Sequence, residues 1–157
     1  MTIDIFVYGT LKPGYRYYQR SCIGKTICER AAIAYGQLYH LPTLGYPAMI
    51  PGSDRVCGYL LGFNDREILA ELDDLEGYHP HRAAEQNEYD RTRIEVFDAD
   101  NPEISLGFAW VYQQTLHRVR QLNGILLTSG CRTVQLTDRL KVKGILKKGF
   151  RVIAQWY

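Results

Sequence analysis

The sequence predicts an α+β domain built on a strongly curved β-sheet or small closed barrel, with a helix laid against it. Three observations predict this. Short β-branched and aromatic runs recur along the chain, glycines fall inside several of them, and one stretch has clear helical periodicity with end signals. An internal glycine weakens a flat strand and marks a bend or bulge, so its repetition favours a curved or closed sheet. At 157 residues the chain can bury a core in one domain without help from metals or disulfides.

Ile3-Asp4-Ile5-Phe6-Val7-Tyr8 is the first strand. Ile3, Ile5 and Val7 share one face and Phe6 and Tyr8 the other, so most of it is expected to be buried. It runs into the turn Gly9-Thr10-Leu11-Lys12-Pro13-Gly14. Residues 15–30 are polar and basic with interleaved tyrosines, and suit either a short helix or an irregular lid. A second strand is expected over 31–39 with Gly36 as a bend. A short extended piece follows at 46–50, closed by Pro51-Gly52, and then a strand over 56–63.

The helix starts after Asn64, a good N-cap with Glu67 in capping-box spacing, and Gly77 is placed to end it. At about 100° per residue, Ile68, Leu69, Leu72 and Leu75 form one apolar stripe, and Glu76 falls on it. Asp74 points away, so Glu76 alone of the helix acids is expected to face the core. After a polar linker, 89–97 and 106–112 form a hairpin around Asp98-Ala99-Asp100-Asn101-Pro102. Beyond it, 115–122 suits helix or strand, and the short runs 133–136, 140–142 and 150–153 look like β.

The apolar share of 46% and charged share of 23% are those of a soluble globular protein. Twelve tyrosines against five phenylalanines favour walls that are apolar in body and polar at the tip, as in cavities or interfaces. A tyrosine-rich sheet accounts for them equally well. Residues 1–112 carry a net charge of −6 and residues 113–157 a net of +8, so the tail is a separate electrostatic unit. It holds Phe150, Trp156 and Tyr157 but no recognised nucleic-acid motif, so a solvated β-edge is preferred to nucleic-acid binding. No apolar run approaches the ~20 residues of a membrane span, and the first residues do not read as a secretory leader. With no C-x-x-C pair among Cys22, Cys28, Cys57 and Cys131, a cytoplasmic protein with reduced thiols is expected.

Two stretches carry chemistry. A glycine turn such as Tyr8-Gly9-Thr10-Leu11 presents main-chain N–H groups to an oxyanion or carboxylate, although a plain turn explains it as well. A carboxylate on a buried helical stripe is costly, and burial and the helix dipole both raise its pKa toward the range of a general base. Glu76 is therefore either a base or a buried partner of Arg91 or Arg93. His79-Pro80-His81 could offer two metal ligands, but no further ligand clusters with them and no metal site is expected. Nucleotide-binding glycine fingerprints are missing.

Taken together, these stretches resemble the gamma-glutamylcyclotransferase-like family, in particular its gamma-glutamylamine cyclotransferase branch. The resemblance rests on Val7-Tyr8-Gly9-Thr10-Leu11-Lys12-Pro13-Gly14, Gly36-Gln37-Leu38-Tyr39, Tyr46-Pro47-Ala48 and Val56-x-Gly58. It continues through Leu72-Asp73-x-x-Glu76-Gly77-Tyr78, Tyr89-x-Arg91 and Ala109-Trp110-Val111-Tyr112. It implies a gamma-glutamylcyclotransferase-like domain over 1–112, a small closed mixed β-barrel with flanking helices and a pocket at one mouth. Residues 113–157 would be a basic extension, β-rich and packed on the same domain. The implied reaction is attack of the α-amine of a γ-glutamyl amine or peptide on its own γ-carbonyl, releasing 5-oxoproline. By the same resemblance Glu76 is the catalytic base and the main chain of Tyr8, Gly9, Thr10 and Leu11 binds substrate, with no cofactor and no metal. Tyr59 stands where many members carry an acid, and the Y-G-S-N opening of free-dipeptide cyclotransferases is missing. The alternative is a non-catalytic small-molecule-binding module of this fold, with the basic tail as a partner surface.

Overall fold

The first strand, β1 (Ile3–Val7), is buried on both faces, and the rest of the molecule explains how. The structure is a computed structural model in which residues 2–130 are described. After β1 come α1 (Arg16–Ser21), β2 (Thr26–Leu41), β3 (Tyr46–Phe63) and α2 (Glu67–Glu76). A 3-10 turn (Ala84–Gln86), β4 (Asp90–Asp98), β5 (Ser105–Gln113), α3 (Leu116–Gln121) and β6 (Ile125–Leu126) complete the order. The strands run β3-β1-β5-β4-β2, and β2 pairs back onto β3, so five strands close into a ring. Only the β1–β5 contact in that ring is parallel. The fold is thus a closed mixed five-stranded barrel with three α-helices among the described residues, and β6 adds two residues to β2 outside the ring.

The side chains sort accordingly. Phe6 and Tyr8 pack with Ala32, Ala34, Val96 and Val111 in one cluster, the barrel interior, where small and β-branched residues suit the narrow bore. Ile3, Ile5 and Val7 pack instead with Tyr18 of α1, Ile68 and Leu72 of α2 and Val119 of α3. One face of β1 looks into the barrel and the other lies under the helices. Leu72 is fully buried there, and cutting it to alanine would cost about 2–5 kcal/mol.

Two expectations change in the strands and one in the helix. The pieces 46–50 and 56–63 belong to a single strand, β3. The Pro51-Gly52 break is present, but as a bulge: Gly36 pairs with Asp54 and Gln37 with Ile50, so residues 51–53 bow out without ending the strand. Gly58 lies inside β3 where an added Cβ would meet the Val7 carbonyl oxygen at 2.4 Å, so the close approach of β1 requires glycine. The helix begins at Glu67, and its leading amide is capped by Asp65 Oδ1 at 2.9 Å, not by Asn64. Asp65 lies two residues before that amide, the reach of a short carboxylate side chain. Gly77 ends α2 in the left-handed conformation (φ 64°), as expected.

The hairpin forms as β4 and β5, the 15–30 segment holds the short helix α1, and 115–122 becomes α3. The β-like runs at 133–136, 140–142 and 150–153 lie outside the described residues. Cys22 and Cys28 are free thiols, whereas Cys57 is disulfide-bonded, which corrects the expectation of reduced cysteines at that position. There β3 lies against the chain at Gly130, whose carbonyl accepts the Cys57 N–H at 2.9 Å. Among the described residues, no helix is long and apolar enough to cross a membrane.

Candidate active site

The turn after β1 and the C-terminal end of α2 meet at one cavity of about 170 Å³. Tyr8, Gly9, Thr10 and Leu11 form one wall and Leu75 and Glu76 another. This is a space for one small head group, below the ~300–1,000 Å³ of pockets that take drug-sized ligands. All five site residues singled out in the sequence are therefore brought together.

The turn is tight. The Lys12 N–H returns to the Gly9 carbonyl at 3.1 Å, and an added Cβ on Gly9 would meet Pro47 Cγ at 2.9 Å. No main-chain carbonyl among the described residues takes the N–H of Gly9, Thr10 or Leu11. These donors remain for a ligand, which is the arrangement an oxyanion or carboxylate requires.

Glu76 is the last residue of α2, and its carboxyl has no ion pair or side-chain hydrogen bond among the described residues. Burial, and after it the negative charge of Glu88, push its pKa from 4.5 up to about 7. The expected alternative, a pair with Arg91 or Arg93, is not what the structure shows. Arg91 instead holds Asp73 through one nitrogen, at 3.0 and 2.9 Å to the two carboxylate oxygens. Its guanidinium also lies 5.2 Å from the Tyr78 ring centre and 4.9 Å from that of Trp110. Arg93 points along the hairpin to the Phe108 carbonyl. Asp73 is thus half-buried too, so Glu76 is not the only acid of α2 turned inward; Asp74 is exposed as expected.

Glu88 was not visible as a site residue in the sequence. It reaches the cavity because two main-chain bonds stitch the end of α2 to the start of β4. The Glu88 N–H donates to the Gly77 carbonyl at 3.1 Å and the Tyr89 N–H to the Glu76 carbonyl at 3.2 Å. Gly77 permits this: a Cβ there would sit 2.9 Å from Glu88 Cβ. No local periodicity in the 78–88 linker announces the contact.

Five tyrosines, Tyr8, Tyr17, Tyr46, Tyr89 and Tyr112, line the walls, which accounts for one use of the tyrosine excess; four of them are tied down. Burial pushes the hydroxyls of Tyr8, Tyr46, Tyr89 and Tyr112 well up, so all four remain neutral donors. Each has a fixed acceptor: Tyr8 donates to the Tyr112 carbonyl at 2.6 Å and Tyr89 to the Pro47 carbonyl at 3.0 Å. Tyr46 donates to Glu88 Oε1 at 2.5 Å and Tyr112 to Asp73 Oδ1 at 2.7 Å. The cavity is therefore a hydroxyl-rimmed box with two carboxyls and, among the described residues, no arginine or lysine in its lining. It suits a ligand with a cationic end beside the carboxyls and an oxyanion or carboxylate on the turn. The His79 and His81 rings lie tilted with centroids 5.7 Å apart, and among the described residues no three His, Cys, Asp or Glu side chains come together as a metal set.

Residues 5–130 match the family described as Gamma-glutamyl cyclotransferase, AIG2-like. The chain belongs to that family. The match extends past residue 112 and takes in α3 and β6. Similar folds occur in an AIG2-like protein from Mus musculus (22% identity, TM-score 0.62, 85% of this chain and 96% of that one). Another is YkqA from Bacillus subtilis (17% identity, TM-score 0.57, 92% of this chain), of which this chain spans only 43%. A third is ytfP from Escherichia coli (27% identity, TM-score 0.50, 82% of this chain and 95% of that one). Among curated proteins none matches the sequence.

Proposed function

We propose that the protein is a γ-glutamyl cyclotransferase with Glu76 as its general base, acting on a small γ-glutamyl amine or peptide. The observation that carries this reading is the placement of a carboxyl with a pKa near 7 across one small cavity from the open N–H groups of the Tyr8–Leu11 turn. Family membership points to the same reaction class.

The chemistry suits a site this simple. The attacking amine and the carbonyl are already tethered in the substrate, so orientation, a base and charge stabilisation suffice. Glu76 takes a proton from the α-ammonium, and the freed amine adds to the γ-carbonyl. The oxyanion forms against the main-chain donors of the turn. Glu76 then returns the proton to the departing nitrogen as the C–N bond breaks. The ring nitrogen then gives up its second proton, which passes through Glu76 to the freed amine, so the amine departs as an ammonium. One C–N bond forms and one breaks, and both protons lost by the attacking nitrogen end on the departing one. A carboxyl with a pKa near 7 can work in both directions close to neutral pH.

Incubating the full chain with a panel of γ-glutamyl compounds tests the proposal. The expected result is 5-oxoproline in equal amount to the freed amine. Saturable binding with no 5-oxoproline would overturn it in favour of a non-catalytic binding module.

A further inference from the structure

A second cavity, of about 410 Å³, adjoins the first and shares Glu88 with it. Asn87, Asp90, Gln114, His117 and Arg118 also line it. Two of these residues have unmet needs. Gln114 is 3% exposed, yet neither its amide nitrogen nor its amide oxygen has a hydrogen-bond partner. Arg118 Nε is likewise buried and unpartnered, and no ion pair reaches its guanidinium among the described residues. Buried polar groups are nearly always satisfied, so an orphaned amide and an orphaned guanidinium nitrogen on one cavity wall point to a ligand.

Two of the three acids lining this cavity are already engaged, and the third lies at its rim. Glu88 accepts from Tyr46, Asp90 accepts from Asn87 Nδ2 at 2.9 Å, and Glu85 is exposed at the rim. The unused hydrogen-bonding capacity belongs to Arg118 and Gln114, and a guanidinium in such a setting selects a carboxylate. The positive charge of Arg118 also reaches the Tyr46 hydroxyl, which lines the first cavity, so the two spaces are electrostatically continuous.

We infer that the second cavity is the subsite for the leaving group of the cyclisation, and that Arg118 with Gln114 selects leaving groups ending in a carboxylate, namely an amino acid or short peptide. This rests on the proposed cyclotransferase reading and extends it. The γ-glutamyl half closes its ring beside Glu76, while the departing half extends past Glu88 to Arg118. Arg118 is held for this role by α3, whose N-cap Thr115 accepts the Arg118 N–H at 3.2 Å.

The test compares γ-glutamyl-alanine with γ-glutamyl-alanine amide, which lacks the carboxylate, in the full-length wild type and in Arg118→Gln. A charge-assisted hydrogen bond lost from one partner corresponds to about tenfold or more in affinity. The wild type is expected to favour the acid at least about tenfold, mainly in KM. Arg118→Gln is expected to bring the acid down to the level of the amide, abolishing the preference between them, and Arg118→Lys to restore part of that preference. Equal kcat/KM for the two compounds in the wild type, or an unchanged preference in a folded Arg118→Gln, overturns the subsite and leaves the cyclotransferase reading intact. Release of 5-oxoproline from neither compound overturns the cyclotransferase reading. Calorimetric binding of the same two compounds then decides the subsite, with a tenfold preference for the acid supporting it and equal affinity refuting it.

Discussion

Asp73 and Glu76 lie one turn apart on the same helix, both half-buried, and they meet opposite fates. Asp73 faces the β4–β5 hairpin, where Arg91 and Tyr112 are direct cross-strand partners, and it takes hydrogen bonds from both. Glu76 faces the turn after β1, where among the described residues no ion pair reaches it and where Glu88 adds a like charge. Arg91 is committed to the structural acid Asp73, and this leaves the other acid able to exchange a proton near neutral pH. Two carboxyls on one helix are thus set apart by their neighbours alone, one as a tie and the other as the proposed base.

The largest expected effect comes from removing the base. Glu76→Gln should lower 5-oxoproline release by about 10²–10⁴-fold, the usual worth of a positioned acid–base group, as measured by turnover of a γ-glutamyl substrate. Next comes breaking the tie. Arg91→Leu leaves Asp73 without its cation and should cost about 3 kcal/mol in urea unfolding, with much smaller changes in the pH profile of any remaining activity.

The proton linkage of Glu76 should be visible in stability. Folding raises its pKa from 4.5 to about 7, so between those values the folded state holds a proton that the unfolded state has lost. Its contribution therefore falls as pH rises through that window and levels off above it. At pH 8 this amounts to up to about 3 kcal/mol of lost stability. Glu76→Gln should remove the slope and be more stable than the wild type at pH 8 in denaturant titrations, a gain opposite in sign to its loss of activity.

A smaller effect sharpens the contrast from the other side. Glu88→Gln removes the like charge, so the acidic limb of the pH–kcat/KM profile should move to lower pH. The shift should be a fraction of a pH unit, since burial is the larger cause. Smallest of all is Thr10→Ala. If the turn acts through its main chain, the loss should stay within about tenfold, far less than at Glu76.

Much of this contrast could be read before the structure. The apolar stripe Ile68, Leu69, Leu72 and Leu75 directed Glu76 inward, and the β1 turn was plain from its glycines. Which cation would reach which acid was not legible. A helical wheel gives direction about one axis, whereas the Arg91–Asp73 pair depends on how the hairpin packs across the helix. Glu88 stayed hidden for the same reason, since only the main-chain stitches at Gly77 and Glu76 bring it to the cavity. The continuity of β3 through Pro51 and Gly52 was also missed, because a bulge and a strand end carry the same residues. Gln114 and Arg118 fall in a short stretch with no decisive period, so their shared cavity emerges only after the barrel closes.

The most direct test of the central claim is a carbon-13 NMR titration of the side-chain carboxyls, with Glu76 assigned by its disappearance in Glu76→Gln. A midpoint near 7 for Glu76 is the predicted result. A midpoint near 4.5 would mean that the carboxyl is solvated or paired, and would contradict its role as the base.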